Sequence, residues 1–369
     1  MAYTNIDDPS AYFQTALYSG TGSTQSITND GNSDLQPDWV WVKSRSNGGT
    51  HNVVFDSSRG VNNRLSTNLT IAEDTGGGYG VVSAFNTDGF TVNPQTGLTN
   101  VGGNGYTYVG WQWKANGGTT TSVSASGTGS GCVNACTHQA NTTAGFSIIT
   151  YTGRDDQLNN GQESKLTHGL GVAPSVFICK RRDGASNWYY LGGKQSSVNN
   201  GWNNAHLLLN QTAVVNGNSY TSNTEPDSTY IYLGNQLVNT VDSWVGYAFA
   251  EKQGYSKFGK YVGNASANGS FIYTGFQPAW VMIKGVDVAD DWYIFDNKRA
   301  GYNPEVFRLR ANTTGTETTG TNNTVDHLSN GFKLRFTGGS INGSGSTYIY
   351  MAFAENPFVT STGVPTTAR

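Results

Sequence analysis

Three short stretches of the chain share one pattern of apolar positions. Each has a proline, a run of large apolar residues, and a lysine six positions after the proline: residues 37–43 (PDWVWVK), 174–180 (PSVFICK) and 278–284 (PAWVMIK). Proline fits the first position of a strand, where no ladder hydrogen bond needs its missing N–H. A short run that is apolar at every position suits a strand buried on both faces. The pattern therefore predicts three equivalent buried strands.

A second, aromatic run follows each of these strands at nearly the same distance, beginning 71, 70 and 70 residues after the proline. A short motif ending in Tyr-x-Gly precedes each strand. Anchors held at one separation three times imply an internal repeat, and a unit of about 100 residues is a whole domain. We therefore expect three units, residues 12–116, 145–252 and 255–358. The aromatic runs are residues 108–113, 244–249 and 348–353, and the preceding motifs are residues 17–20, 150–153 and 260–263.

The aromatic run of each unit has one bulky face and one smaller face. In the first unit Val109, Trp111 and Trp113 alternate with Gly110 and Gln112. Because successive side chains of a strand point to opposite faces, the bulky face should be the core side. The smaller face should leave room for the backbone of another segment or for another subunit.

Short apolar runs separated by Gly-, Asn- and Asp-rich turns continue through each unit, with no helical period. The first unit alone has six strand candidates: residues 13–18, 39–43, 52–55, 80–85, 89–92 and 106–113. This spacing is typical of sandwiches and jelly rolls. The predicted fold is all-β, with three tandem related β-sandwich domains of the jelly-roll, lectin-like type.

The segments outside the units differ in character. Residues 1–11 are expected to form an N-terminal arm that docks on a neighbour, and residues 359–369 a polar tail or contact arm. Residues 117–144 are rich in Gly, Ser and Thr, which predicts a flexible linker and a more independent first unit. Few residues separate the second and third units, so these two should pack as a rigid pair.

Composition narrows the class of protein. Only 13% of residues are charged and 48 are glycine, as in β-rich surface proteins, while the net charge of −3 and pI near 5.9 argue against binding nucleic acid or an anionic membrane. No apolar run approaches the roughly 20 residues that cross a bilayer, and the start of the chain does not have the pattern of a secretory signal. A virion protein, made in a bacterial cytoplasm and released by lysis, fits both observations. Export through a carboxy-terminal signal is the alternative.

The cysteines do not form a disulfide framework. Cys179 lies in the second buried strand and is interpreted as a small core residue. Cys132 and Cys136 lie in the predicted linker, where they could be two thiols, a short disulfide loop or part of a metal site.

Two sets of side chains are candidates for binding. A Phe-Asp-x-x-Arg element occurs at residues 55–59 and 295–299, and it could hold a sugar or, as the more common use, fix a turn. Trp188 and Trp292 occupy equivalent positions, and Trp202 lies between turn formers. These three rings are the candidates for glycan or partner contact, with packing as the alternative.

No catalytic motif is recognised. The five histidines do not cluster in sequence, no Gly-x-Ser-x-Gly elbow occurs, and the acidic pairs 155–156 and 290–291 would point to opposite faces of a strand. We therefore expect a non-enzymatic protein with no catalytic, cofactor-binding or metal-binding residues.

Several segments resemble a family of uncharacterised virion-associated structural proteins of tailed bacteriophages, many of them marine or cyanobacterial. The segments are residues 6–14 (IDDPSAYFQ), 141–153 (NTTAGFSIITYTG), 254–263 (GYSKFGKYVG), 292–299 (WYIFDNKR) and 348–358 (YIYMAFAENPF). The resemblance covers almost the whole chain and brings no catalytic motif with it. It implies a structural role on the tail or capsid surface.

The expected function is that of a virion component, a tail fibre or similar appendage that contacts the host surface. Capsid decoration through the terminal arms is one alternative, and a glycan-degrading enzyme is another. The expected partners are other virion proteins, further copies of the chain in a homo-oligomer, and a host cell-surface glycan. Nucleic acid and membrane insertion are not expected.

Overall fold

The computed structural model describes residues 3–75, 78–94, 100–124, 135–153, 164–195, 201–202, 205–217, 224–234, 237–238 and 241–365. Within these residues the fold is all-β and β-sandwich-like, with two four-residue helices. None of the described helices is long and apolar enough to span a membrane.

Unit 1 contains a large sheet and a small sheet. A 3-10 helix, Pro9–Ala11, precedes them. The large sheet has the order β1-β8-β3-β4-β5 and the small sheet the order β2-β7-β6. The strands are β1 (Phe13–Ser19), β2 (Gln25–Ile27), β3 (Trp39–Ser44), β4 (Val53–Asp56), β5 (Leu65–Ser66), β6 (Val81–Phe85), β7 (Phe90–Asn93) and β8 (Thr107–Trp113).

The large sheet of unit 2 has the same order of strands, and three further strands, β9, β10 and β16, extend it. The described order is β16-β15-β14-β13-β18-β11-β10-β9, and a small sheet pairs β12 with β17. The strands are β9 (Thr121–Ser124), β10 (Ala135–Asn141), β11 (Phe146–Thr152), β12 (Ser164–Thr167), β13 (Val176–Arg181), β14 (Trp188–Gly192), β15 (Ala205–Leu208), β16 (Asn216–Gly217), β17 (Tyr230–Leu233) and β18 (Ser243–Phe249).

Unit 3 repeats the pattern with a large sheet β19-β26-β21-β22-β23 and a small sheet β20-β25-β24. The elements are β19 (Ser256–Val262), β20 (Phe271–Tyr273), β21 (Phe276–Gly285), β22 (Tyr293–Asp296), α1 (Asn297–Ala300), β23 (Leu309–Arg310), β24 (Val325–Leu328), β25 (Gly331–Leu334), α2 (Gly339–Asn342) and β26 (Thr347–Pro357).

Strand order and register relate the three large sheets position by position. The three predicted buried strands are β3, β13 and β21, and each pairs on one side with the last strand of its unit. On its other side Trp39 faces Asp56, Val176 faces Gly192 and Trp280 faces Asp296. These registers align the units independently of sequence similarity.

The bulky faces of the last strands point into one core that the three units share. Trp39 of unit 1 stacks on Tyr247 of unit 2 with ring centroids 4.5 Å apart. Trp113 lies 5.5 Å from Phe353 of unit 3, and Phe249 lies 5.8 Å from the same ring. The prediction of a buried bulky face is confirmed, but the core it enters lies between units.

The smaller faces of the last strands are covered as well, which explains their glycines. A side chain at Gly110 would meet the ring of Phe90 from the small sheet, with an added Cβ only 2.7 Å from its Cζ. A smaller core of unit 1 lies between its two sheets on this side and includes Val40, Phe55 and Phe90. Each large sheet is therefore buried on both faces, as the continuous apolar runs predict.

The described residues outside the units form more contacts than their sequences suggest. Within the predicted linker 117–144, β9 and β10 pair with each other, and β10 pairs with β11 along seven residues. Unit 1 is not set apart, because its Trp39 packs against unit 2. Unit 1 packs against unit 2 because one face of its large sheet is apolar, and the composition of the linker gives no information about that face.

The described part of the N-terminal arm docks on its own chain. Tyr3 OH donates to the carbonyl oxygen of Gly275 at 2.7 Å, and Thr4 Oγ1 donates to that of Gln253 at 2.7 Å. Ile6 is buried in the shared core, and Asp7 accepts hydrogen bonds from Ser361 in the tail. The expected docking of these arm residues on a neighbour is therefore replaced by contacts within the chain.

Candidate functional site

The Phe-Asp-x-x-Arg element of unit 1 forms a buried polar cluster with unit 2. Asp56 and Arg59 form an ion pair whose side chains are fully buried, and Arg59 Nη1 also lies 2.6 Å from Glu73 Oε2. Unit 2 contributes Tyr247, whose hydroxyl donates to Asp56 Oδ2 at 2.7 Å, and Arg182, whose Nη2 donates to Glu73 Oε1 at 2.8 Å. We call these five residues the unit 1–2 cluster.

The equivalent element of unit 3 forms the same cluster with unit 1. Arg299 Nε donates to Asp296 Oδ2 at 2.7 Å, and Arg299 Nη1 donates to Glu317 Oε2 at 3.0 Å. Unit 1 contributes Trp111, whose Nε1 donates to Asp296 Oδ2 at 3.0 Å, and Arg45, which forms two hydrogen bonds with Glu317. These residues are the unit 3–1 cluster.

The charges in these clusters are compensated within each cluster. Burial lowers the pKa of Arg59, but attraction to Asp56, Tyr247 and Glu73 outweighs it and leaves the pKa above its ordinary value. Burial raises the pKa of Glu73, but hydrogen bonds and attraction from Arg182 and Arg59 hold it below its ordinary value. The Phe-Asp-x-x-Arg elements therefore fix the contacts between units, and their ionic groups are not presented to a ligand.

The three tryptophans selected from the sequence lie inside the protein. Trp188 is 0% exposed, Trp292 1% and Trp202 2%. Trp188 Nε1 donates to the carbonyl oxygen of Ser66 at 2.8 Å, and Trp292 Nε1 donates to that of Leu208 at 2.9 Å, so both span two units. Their interpretation as sugar-stacking platforms is corrected, because a ring needs an exposed face to stack on a sugar and these rings have none.

The other titratable candidates also serve local structure. Asp290 accepts hydrogen bonds from Tyr293 OH and from the backbone N–H of Asp291, and Asp291 forms an ion pair with Arg310. Among the described residues, no group of three or more His, Cys, Asp or Glu side chains could hold a metal ion. Cys136 and Cys179 are buried. Cys132 and the acidic pair 155–156 lie outside the described residues.

An exposed aromatic surface lies on the outer face of the small sheet of unit 3. Phe271 and Tyr273 on the edge strand β20 are 46% and 54% exposed, while Ile272 between them is buried. Tyr3 of the arm lies beside them, with its hydroxyl 3.3 Å from that of Tyr273. Burial, followed by the hydrogen bond with Tyr273, raises the pKa of Tyr3 well above its ordinary value, so its hydroxyl stays protonated.

The adjacent strand leaves these rings uncovered. Tyr273 faces Gly331 on β25, and Phe271 faces Lys333. A Cβ at Gly331 would lie 3.0 Å from Phe271 Cε2 and 2.1 Å from the carbonyl oxygen of Ile272, which leaves no room for a side chain. We call Tyr3, Phe271, Tyr273 and Lys333 the aromatic surface; the backbone positions of its two strand residues are about 7 Å apart along β20.

The equivalent faces of the other units are less available. In unit 2 Lys165 Nζ lies 5.5 Å from the centroid of the Tyr230 ring, and Tyr232 OH donates to Asp227 Oδ2 at 2.7 Å. In unit 1 the face is polar, and Ser26 and Thr91 are hydrogen-bonded across the strands. The exposed rings of unit 3 are thus a property of one unit and are not required by the repeat.

The sequence carries a signal for this surface. Residues 270–274 read SFIYT, an alternation in which aromatic residues flank an aliphatic one. On a strand this pattern places both rings on one face, and the buried Ile272 places them outside. The three tryptophans have larger rings, but packing is the common fate of a tryptophan in a strand.

Fold and site together define a class: an all-β, β-sandwich-like protein with a shared core, ionic clusters between units and an exposed aromatic surface. The chain belongs to the DUF7483 family, a domain of unknown function, which matches residues 8–357. The match extends over all three units. No curated protein and no solved structure matches the chain.

Proposed function

We propose that the protein is a non-enzymatic structural component of a tailed-phage virion, a tail fibre or other surface appendage that contacts the host. The observation that carries this proposal is the aromatic surface, where Phe271 and Tyr273 are about half exposed beside Lys333. Aromatic rings with one apolar face and polar neighbours suit the C–H groups and hydroxyls of a sugar. The ligand in this proposal is a cell-surface glycan of the host.

The interior supports a role as a scaffold. The buried ionic groups of the unit 1–2 and unit 3–1 clusters are paired across units, and the aromatic core is continuous between them. In this proposal each unit is a tandem sandwich domain of the jelly-roll type, and the three form one rigid body. Several tethered copies in a homo-oligomer on a virion would turn weak single contacts into firm attachment, because tethering raises the effective concentration.

The terminal segments favour the appendage over capsid decoration. A decoration protein that clamps capsomers through its arms needs those arms available for neighbours. Here Thr4 of the arm donates to the carbonyl oxygen of Gln253, and Asp7 accepts from Ser361 of the tail. The described arm is therefore engaged with the body of the same chain, and Ser361 of the tail is engaged with the arm.

The test is binding of the purified full chain to immobilised polysaccharides from bacterial surfaces. We expect saturable binding to one of them, and a loss of about tenfold in affinity for the double variant Phe271→Ala/Tyr273→Ala. Tyr302→Ala is the matched control, because Tyr302 is 63% exposed in the same unit and lies outside the aromatic surface. It should bind as the unaltered chain does.

Three results would contradict the proposal. Binding that the double variant retains in full would remove the aromatic surface from the interaction. Release of reducing ends from the polysaccharide would make the protein an enzyme. Recovery of the chain only with capsids, without any binding to cells or polysaccharide, would favour the decoration role.

A further inference from the structure

The outer edges of the three large sheets are not equivalent. In unit 2 the first strand of the repeat, β11, is covered along its outer edge by β10, with seven residues in register. In units 1 and 3 the equivalent strands β1 and β19 are the outermost described strands of their sheets. One edge therefore carries an internal strand, whereas no described strand pairs with the other two.

Residues 13–16 of β1 are buried beside a cleft that unit 3 also lines, and Leu17 is exposed. The N–H of Lys114 donates to the carbonyl oxygen of Tyr12, which fixes the alternation along this antiparallel pair. The N–H and C=O groups of Phe13, Thr15 and Leu17 therefore point away from β8. In unit 2 the equivalent residues of β11 pair with β10.

One buried side chain on this edge has an unused polar atom. Thr15 is 5% exposed, and within the described residues its Oγ1 makes no hydrogen bond. Register places Thr15 at the position of Ile148 in unit 2, which faces Gln139 of β10. Thr15 lines a cleft of about 180 Å³ between β1 and the start of α1 in unit 3. The hydroxyl therefore lies where a strand equivalent to β10 would place a side chain.

Unit 2 shows how such a side chain is held. Gln139 Nε2 donates to the hydroxyls of Ser57 and Ser58 of unit 1 at 2.9 Å each, and its Oε1 accepts from the N–H of Asn116 at 3.0 Å and of Gly118 at 2.7 Å. In the cleft beside β1, Asn297 and Lys298 of unit 3 occupy the positions of Ser57 and Ser58. The cleft thus has polar side chains at the positions equivalent to those that bind Gln139 in unit 2.

Charge distinguishes the two open edges. β19 carries Lys257 and Lys260, and charged residues, lysine above all, protect an edge strand from pairing with another chain. β1, residues FQTALYS, carries no charge, and its Leu17 is 39% exposed. Lys260 and Leu17 occupy the same position in their units. Of these two edge strands, β1 is therefore the one without a charged residue to prevent pairing.

We propose that the edge of β1 binds an extended, uncharged peptide segment of a partner protein. The segment adds to the sheet antiparallel to β1, with a carboxamide side chain opposite Thr15. The exposed ion pair between Lys298 and Asp30 joins the two walls of the cleft and is weak enough to open. This inference does not depend on the proposed host contact, which involves another face of the molecule.

The test uses the full chain and a labelled synthetic peptide with the sequence of β10 in which Cys136→Ser removes the thiol. We expect saturable binding by fluorescence anisotropy and slower hydrogen exchange within residues 13–19. Leu17→Lys should weaken binding about tenfold or more, because it introduces the lysine that unit 3 has at this position, Lys260. Val61→Lys is the control, since Val61 is also 39% exposed, and it should bind normally.

Three outcomes would overturn the proposal. The first is binding to Leu17→Lys that equals binding to the unaltered chain. The second is equal binding of a peptide N-methylated at the amides that would face β1, since such a peptide cannot pair with a strand. The third is sedimentation as a dimer with protection of residues 13–19 in the absence of peptide, which would make the occupant a second copy of the chain.

Discussion

The contact between units 1 and 2 and the contact between units 2 and 3 involve equivalent positions, which are charged or polar in the first contact and mostly apolar in the second. The unit 1–2 cluster joins Asp56, Arg59 and Glu73 of one unit to Arg182 and Tyr247 of the next. At the contact between units 2 and 3 the register replaces all five with Gly192, Gln195, Val215, Val286 and Met351. The backbone contact remains, since Val215 N–H donates to Val286 O at 2.9 Å and Glu73 N–H donates to Arg182 O at 2.7 Å.

The difference shows that the charged residues act as one group. The amide of Gln195 still reaches the carbonyl oxygen of Tyr190, as Arg59 reaches that of Val54, so the replacement keeps the bond that needs no charge. At the contact between units 2 and 3, the positions of the two acidic residues, of both arginines and of the tyrosine donor are all occupied by uncharged residues. A buried charge is tolerated only when its partners are complete, and apolar residues of similar volume serve as well as a buried ion pair.

Removing the fully buried arginine of a cluster should have the largest effect. Arg59→Met leaves Asp56 and Glu73 in a buried site without their shared cation, and both side chains are mostly or fully buried. We expect the free energy of unfolding to fall by about 3–5 kcal/mol. Chemical denaturation monitored by tryptophan fluorescence measures this change.

The comparison itself is tested by moving the whole apolar set into the unit 1–2 contact. The variant Asp56→Gly/Arg59→Gln/Glu73→Val/Arg182→Val/Tyr247→Met has five changes, yet it should lose less stability than Arg59→Met alone. A quintuple variant that is less stable than the single one would show that each ion pair stabilises by itself.

A smaller effect is expected for the tryptophans that span two units. Trp188→Phe removes one of the donors to the carbonyl oxygen of Ser66 at the unit 1–2 contact, although the N–H of Leu69 still reaches that oxygen. It also leaves a void where the larger ring was packed. We expect a loss of about 2 kcal/mol in the free energy of unfolding. Trp292→Phe makes the same change at the apolar contact, through Leu208, and should cost the same amount. Unequal losses would show that the two contacts differ in more than their charges.

The sequence predicts the repeat and the strands of this fold well, because period and turn residues are local signals. The predicted strands 39–43 and 52–55 correspond to β3 and β4 within one residue. It does not predict that the bulky faces of Trp111 and Tyr247 meet at a shared core, since local patterning identifies a buried face without its partner. Pairing of charges across units depends on residues far apart in the chain. The sequence around Asp56 and Arg59 therefore indicates a turn, but it does not indicate that Tyr247 and Arg182 are partners in the same cluster.

Lys284 of unit 3 lies at the apolar contact with unit 2, and its titration should make the stability of the protein depend on pH. Burial lowers the pKa of Lys284 to about 8, although Asp290 and Asp291 oppose this, and its Nζ donates to Thr212 of unit 2. An unfolded lysine has a pKa near 10.4. Between about pH 8 and 9.5 the unfolded chain therefore binds more protons at this site, and the free energy of unfolding rises with pH.

The measurement is chemical denaturation of the unaltered chain and of Lys284→Met at several pH values. The variant lacks this contribution, so between pH 8 and pH 9.5 the unaltered chain should gain about 1.5 kcal/mol of stability relative to it. Other titrating groups cancel in the difference between the two chains. A difference that stays constant over this range would mean that Lys284 keeps its charge in the folded state.

The smallest effect is expected at the rims of the charged clusters. Arg45 pairs with Glu317 across the unit 3–1 contact, but its side chain is 20% exposed, and Glu317 keeps Arg299 as a second partner. Arg45→Met should therefore cost only about 0.5–1 kcal/mol, and the cost should fall in high salt because solvent screens this pair. The equivalent change Arg182→Met at the unit 1–2 contact serves as the matched comparison, with 26% exposure and Glu73 still paired to Arg59. A cost as large as that of Arg59→Met for either change would contradict this expectation. It would show that the buried ion pair requires the partly exposed arginine, so that valine, as at Val286, could take the place of this arginine only if the other four residues of the cluster changed with it.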